Sequence, residues 1–206
     1  TYEYTHGYGA IISSANSVDE NGNLEYIQSD FKGEDNKVKI TQPRIYFGLQ
    51  TNEPIVTNAK NKQEYDYPLT STTSNTNTYE GKAGLKLGFL DRIILGVKEK
   101  NLGIAFSGNV TKESRIITTR NIITRAKTIM PYLKYDEEPY MVVTDEGKLV
   151  WVLDAYTTSN DYPYSQETII EYGGLKEKIN YIRNSVKVII DAYDGTTDFY
   201  ITDKSD

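Results

Sequence analysis

The sequence predicts an α+β fold, mainly antiparallel sheet with two consecutive amphipathic helices packed on one face. Turn dipeptides such as Asn21-Gly22 and Asp194-Gly195 sit between short β-branched and aromatic runs, the pattern of antiparallel hairpins. Two central stretches carry apolar residues at three-and-four spacing, the period of one helical face. Strands do not alternate with helices in βαβ fashion, which disfavours a doubly wound nucleotide-binding sheet.

Each element follows from local chemistry. Ile11-Ile12 and Leu24–Ile27 flank Asn21-Gly22 as a first hairpin, and Arg44–Phe47, Ile55–Thr57 and Glu64–Tyr67 read as short strands punctuated by Pro43, Pro54 and Pro68. Leu69–Thr78 is almost all Ser, Thr and Asn and predicts an exposed loop, having nothing to bury. A first helix is expected over about Ala83–Lys100, with Leu87, Leu90, Ile93, Ile94 and Val97 as its stripe. Burying such a stripe is worth roughly 1.5–3 kcal/mol per side chain before entropy. A second is expected from an N-cap at Thr111, with Ile116, Ile122, Ile123, Ala126, Ile129 and Met130 facing inward. Pro131 stops it, because a proline ring opposes helix continuation. Tyr140–Val143 and Leu149–Ala155 flank the turn Asp145–Lys148, and Val186–Ala192 and Asp198–Thr202 flank Asp194-Gly195. Leu153-Asp154-Ala155-Tyr156 echoes Ile190-Asp191-Ala192-Tyr193, a weak hint of duplication.

Composition narrows the function classes. The chain has 206 residues, 38% hydrophobic and 25% charged, enough for one domain over 1–206 or two lobes sharing a core (1–80 strand-rich, 81–206 with two helices and then two hairpins). Eighteen Tyr against five Phe and one Trp suit half-buried sheet surfaces and polar grooves. With 23 basic and 29 acidic residues and a net charge of −6, no nucleic-acid partner is expected. No apolar run approaches the roughly 20 residues of a bilayer span, and no signal peptide opens the chain, so as given it reads as soluble. The absence of cysteine removes disulfides, thiolate nucleophiles, zinc thiolate sites and iron–sulfur clusters. No cofactor is expected.

Blocks distributed along the chain carry a resemblance. Tyr4–Gly9, Gln63–Pro68, Tyr79–Lys82, Glu113–Ile116, Arg120–Ile122, Asp154–Ser159, Tyr162–Ser165, Ile179–Lys187 and Asp191–Thr196 are similar, in the same order, to an uncharacterised bacterial membrane-protein family. The Ser/Thr/Asn loop at 70–78 and Lys98–Asn101 are specific to this chain. The resemblance implies a piece of a large extracytoplasmic region that follows several transmembrane helices. It implies a place at the cell membrane on its extracytoplasmic side, with the transmembrane part of the same full-length chain as a partner. It supplies no reaction and no catalytic residues.

Individual motifs point to binding more than catalysis. His6 is the sole histidine, too few for a zinc site without cysteine, and a positional role in the Thr5–Gly9 turn is expected. Asp19, Asn21 and Asn23 have calcium-loop spacing, but Leu24 and Asp30 stand where glycine and glutamate are needed, so no metal is expected. Gly81, Lys82, Gly84 and Gly88 lack the phosphate-loop pattern and read as close backbone packing. Arg115, Arg120, Arg125 and Lys127 would give the second helix a basic face. Asp154 and Asp191, on two hairpins, are the candidate carboxylate pair for a hydrolase acting on envelope glycans. The stronger candidate is a ligand surface of Asp154, Tyr156, Thr158, Asn160, Tyr162, Tyr164 and Arg183, whose rings, hydroxyls and amides suit an envelope polymer or a protein partner. The expected function is therefore a non-catalytic binding domain.

Overall fold

The computed structural model describes residues 2–28, 38–68, 74–86, 88–98 and 108–204. In chain order the elements are β1 (Tyr2–Glu3), β2 (Gly7–Tyr8), β3 (Ile12–Val18), β4 (Leu24–Gln28), β5 (Arg44–Ile45), β6 (Ile55–Thr57), β7 (Gln63–Pro68), β8 (Ser74–Asn77) and β9 (Leu85–Lys86). Then come α1 (Phe89–Lys98), β10 (Arg115–Ile117), α2 (Ile122–Ile129), β11 (Lys134–Tyr135), β12 (Tyr140–Val143), β13 (Leu149–Ser159), β14 (Thr168–Tyr172), β15 (Leu175–Ile179), β16 (Tyr181–Asp191) and β17 (Thr197–Ile201). The α+β class and the dominance of antiparallel sheet are as the sequence predicts. Among the described strands, β1 and β7 alone pair in parallel.

The centre is a five-stranded antiparallel sheet in the order β11-β13-β16-β17, with β12 beside β11 on the same edge of β13. Register places Leu153 opposite Val188 and Ala155 opposite Val186. Because side chains alternate along a strand, these four point to one face. There they join Ile122 and Ala126 of α2, Tyr46, Phe47, Tyr79, Ile117, Tyr135 and Ile190 in the main core. Trp151 seals its margin, donating from Nε1 to Phe47 O at 2.9 Å. Smaller sheets, β1-β7-β8, β6-β10-β9, β2-β5, β3-β4 and β14-β15, surround it.

Predicted turns hold. The β3–β4 hairpin turns through Gly22 at φ +80°, and the β16–β17 turn places Gly195 at φ +69°. Any Cβ on Gly195 would lie 2.5 Å from Phe47 Cζ, so both conformation and packing demand glycine there.

Several expectations give way. The first helix begins at Phe89 rather than Ala83, because Gly84 turns at φ +82° with its backbone against Ile116 O and Leu85–Lys86 pair with β10. Residue 87 and residues 99–100 of the predicted helix lie outside the described residues. The second helix does not start at Thr111. Arg115–Ile117 form a strand between β6 and β9, consistent with the β-branched run Ile116–Thr119. The helix is capped instead by Asn121, whose side chain accepts from Thr124 N at 3.0 Å. It ends before Pro131, as expected. Within the predicted loop Leu69–Thr78, Ser74–Asn77 form β8, paired with β7, and residues 69–73 lie outside the described residues. The duplication hint has no structural counterpart: Leu153–Tyr156 lies inside β13, whereas Ile190–Tyr193 runs from β16 into a turn.

Candidate functional site

The predicted ligand residues fall into two groups. Asp154, Tyr156 and Thr158 lie in β13; Asp154 and Tyr156 by alternation face away from the core side taken by Leu153 and Ala155, and Thr158 follows a register shift between Ala155 and Thr157. The same face carries Lys187 opposite Asp154, Tyr200 opposite Lys187, and Tyr140 opposite Val152. Tyr140 and Tyr200 are half exposed. Lys187 Nζ pairs with Asp154 Oδ1, and that hydrogen bond, ahead of opposing desolvation, raises the ammonium's pKa. Burial first, then the Asp136 and Asp154 carboxylates, raise the pKa of the Tyr156 phenol. The result is an ion pair among tyrosine rings and hydroxyls.

The second group lies at the end of the sheet. Tyr162 stacks on Tyr181 with ring centres 5.0 Å apart. Asn180 pins its loop by accepting from Tyr162 N at 3.0 Å and donating to Tyr162 O at 2.9 Å. Tyr164 is fully exposed at φ +61° and Asn160 is exposed. Arg183 pairs with Asp203.

Asp154 and Asp191 are not brought together. Asp191 sits opposite Val150, four residues along β13 from Asp154, a rise of about 13 Å. Paired glycosidase carboxyls lie within roughly 5–9.5 Å. Each acid also has its own work: Asp154 holds Lys187, while Asp191 Oδ1 accepts from Tyr193 N at 2.8 Å and Asp194 N at 3.0 Å in the β16–β17 turn.

The basic residues of the second helical stretch are clamps rather than a basic face. Arg115 Nη1 reaches the carbonyls of Lys82, Ala83 and Gly84. Arg120, buried, donates to Tyr46 O at 2.8 Å, Glu53 O at 3.2 Å and Thr5 O. Desolvation draws its pKa down to about 10. Arg125 donates to Gly195 O at 2.8 Å and lies over the Phe47 ring. Lys127 lies over the Tyr172 ring.

Sequence reasoning missed a buried polar cluster that joins Thr5, His6, Glu64 and Asp66 to Arg44, Tyr46 and Asn58. Glu64, buried, accepts from Thr5 Oγ1 at 2.7 Å, Tyr46 OH at 2.6 Å and Asn58 N at 3.1 Å. Arg44 grips Asp66 through two bonds of 2.9 and 2.7 Å. His6 has a wholly buried side chain. Its Nδ1 donates to Gly7 O at 3.0 Å, leaving Nε2 without a hydrogen-bond partner, 3.7 Å from Asp66 Oδ1. Burial lowers the imidazole pKa against the opposing pull of Asp66 and Glu64. Beside this cluster a cavity of about 370 Å³ is lined by Tyr4, Thr5, His6, Arg120 and residues 50–53. The pairing of β1 with β7 and of β2 with β5 helps to bring these residues together; the nearest sequence signal was that Tyr4–Gly9 and Gln63–Pro68 carried part of the resemblance, whereas Arg44, Tyr46 and Asn58 lie outside its blocks.

The calcium-like spacing is a turn: Asp19 Oδ1 accepts from Asn21 N and Asn23 N, each at 2.8 Å. No group of three His, Asp or Glu residues that could hold a metal occurs among the described residues. Among the same residues, no helix is long and apolar enough to cross a membrane.

Against this geometry stands the comparison with known proteins. The model of the uncharacterised protein family UPF0182 matches residues 1–206. The chain belongs to this family. It is 46% identical over 204 residues to a UPF0182 protein of Clostridium botulinum (strain Loch Maree / Type A3), and 49% identical over 204 residues to one of Clostridium tetani (strain Massachusetts / E88). A UPF0182 protein of Clostridium acetobutylicum is 44% identical over 204 residues. Each match covers 98% of this chain but 21–22% of the relative, so the chain spans about a fifth of the length of the curated family members it matches. No solved structure matches it.

Proposed function

We propose that this chain is a non-catalytic binding domain of a longer UPF0182 protein, and that it binds through the open face of its five-stranded sheet. One observation carries the reading. The inner face of β13 and β16 is apolar and covered by α2, whereas the outer face presents Tyr140, Tyr156 and Tyr200 around the Asp154–Lys187 pair, beside Val150, Val152 and Ile189. Tyrosine rings give contact area at low entropic cost, and their hydroxyls add directional bonds. Such a face suits a polymer rich in hydroxyl and amide groups. The resemblance to a membrane-protein family supports an extracytoplasmic position, where the ligand would be an envelope polymer.

The test is retention on isolated cell-envelope material. Replacing Tyr140 and Tyr156 together by alanine should weaken binding about tenfold, the loss of two aromatic contacts, while the domain stays folded. Replacing Tyr162, which stacks on Tyr181 away from this face, should have a smaller effect. Undiminished retention of the double variant would reject the reading.

A further inference from the structure

The helix α1 presents an apolar surface that nothing among the described residues covers. Leu90, Ile94 and Val97 recur at i, i+4 and i+7 and so share one side of the helix. Together with Phe89 and with Leu85 on the preceding strand β9, they are 64–71% exposed. The helix is locally well made. Asp91 reaches back to accept from Gly88 N at 3.1 Å, and Arg92 Nη1 donates to Val110 O at 2.8 Å. β9 is also an edge strand, paired with β10 on one side. An isolated ten-residue helix is marginal in water, and an exposed apolar stripe of this kind marks a contact surface.

We infer that Leu85, Phe89, Leu90, Ile94 and Val97 form an intramolecular interface, covered by a part of the longer protein outside residues 1–206. Two observations select this occupant. In each relative above, more than three quarters of the length lies outside the matched stretch. The surface is also below the size that separate partners need: five apolar side chains, each 64–71% exposed and each offering about 100 Å² of accessible area, give on the order of 500 Å². Stable association of separate molecules buries roughly 800 Å² on each partner. A covalently tethered partner needs far less, because its effective concentration reaches the millimolar range. This surface is distinct from the tyrosine face of the sheet, and the inference stands or falls independently of the binding function.

The experiment uses the full-length chain with photo-reactive benzoylphenylalanine at Phe89. On irradiation, crosslinked peptides should join the α1 segment to sequence outside residues 1–206, in a species of monomer mass. Crosslinks confined to residues 1–206, crosslinks to a second copy or a separate protein, or no crosslink at all would overturn the inference. Hydrogen exchange on the same chain gives a second measurement. In the Leu90→Asp/Ile94→Asp double variant, α1 amides should exchange at least tenfold faster while β13 and β16 keep their protection. Unchanged α1 exchange would overturn it too, and the crosslink decides the matter if the double variant fails to fold.

Discussion

α2, of eight residues, and α1, of ten, both carry amphipathic patterns, yet Ile122 and Ala126 of α2 are fully buried while Leu90, Ile94 and Val97 of α1 face solvent. The surroundings account for the difference. α2 is capped by Asn121, which also donates to Leu49 O at 2.7 Å. At its other end Tyr135 OH lies 2.7 Å from Met130 O and 3.1 Å from Ala126 O, with burial pushing that phenol up to about 12. Arg120, just before α2, and Arg125 within it fasten it to carbonyls far away in sequence. Among the described residues, α1 has the local bond of Asp91 to Gly88 N and, as its longer-range side-chain tie, Arg92 on Val110 O. An apolar stripe states that a helix needs cover; the clamps around it decide whether the cover comes from the same domain.

The sharpest way to break this contrast is to place a charge in each helix of the 206-residue chain. Ile122→Asp should cost more than about 4 kcal/mol, the penalty of an unpaired charge in a packed core, and should unfold the domain. Ile94→Asp should change stability by no more than about 0.5 kcal/mol, as at other surface positions. Urea denaturation midpoints measure both, and equal losses would erase the distinction between the helices. Next in size is Arg120→Met, which strands the carbonyls of Thr5, Tyr46 and Glu53 and should cost about 3 kcal/mol. A near-neutral result would show that the clamp is not what fixes α2.

The smallest expected effect is acid sensitivity on the α2 side of the molecule. Burial depresses the folded-state pKa of His6 below its ordinary 6.5, despite Asp66 and Glu64, with Arg44 adding to the depression. Below pH 6.5 the unfolded chain therefore takes up a proton that the folded chain refuses, so stability is full above 6.5 and falls as pH drops towards the folded value. A His6→Asn variant should flatten that part of the stability–pH curve. Hydrogen exchange should show the acid effect in β2, β5 and β7 and leave α1 unaffected; a slope that survives the substitution would assign it elsewhere.

Much of the fold was legible where the chemistry is local. Asn21-Gly22 and Asp194-Gly195 demand left-handed backbone, Pro131 cannot continue a helix, and the strands of the two C-terminal hairpins alternate as sheet residues do. The assignment failed at Arg115–Ile117, where one stretch satisfies both the helical spacing and the β-branched preference of a strand, and pairing with β6 and β9 decides between them. In the candidate site, the sequence singles out Asp154, Tyr156 and Thr158, but their place in one long strand and the Lys187 partner of Asp154 depend on β16, which lies about thirty residues further along.

Sequence alone therefore determined the class of fold, the turn positions, and the want of thiol and multi-histidine chemistry, because each of these is set by residue type or by neighbours within a few positions. Tertiary structure decided which apolar stripe is buried, that the arginines clamp carbonyls, and that Asp154 and Asp191 stand apart. Those outcomes depend on contacts such as Arg120 with Thr5 and Trp151 with Phe47, between residues about a hundred positions apart, and only the folded chain brings such groups within bonding distance.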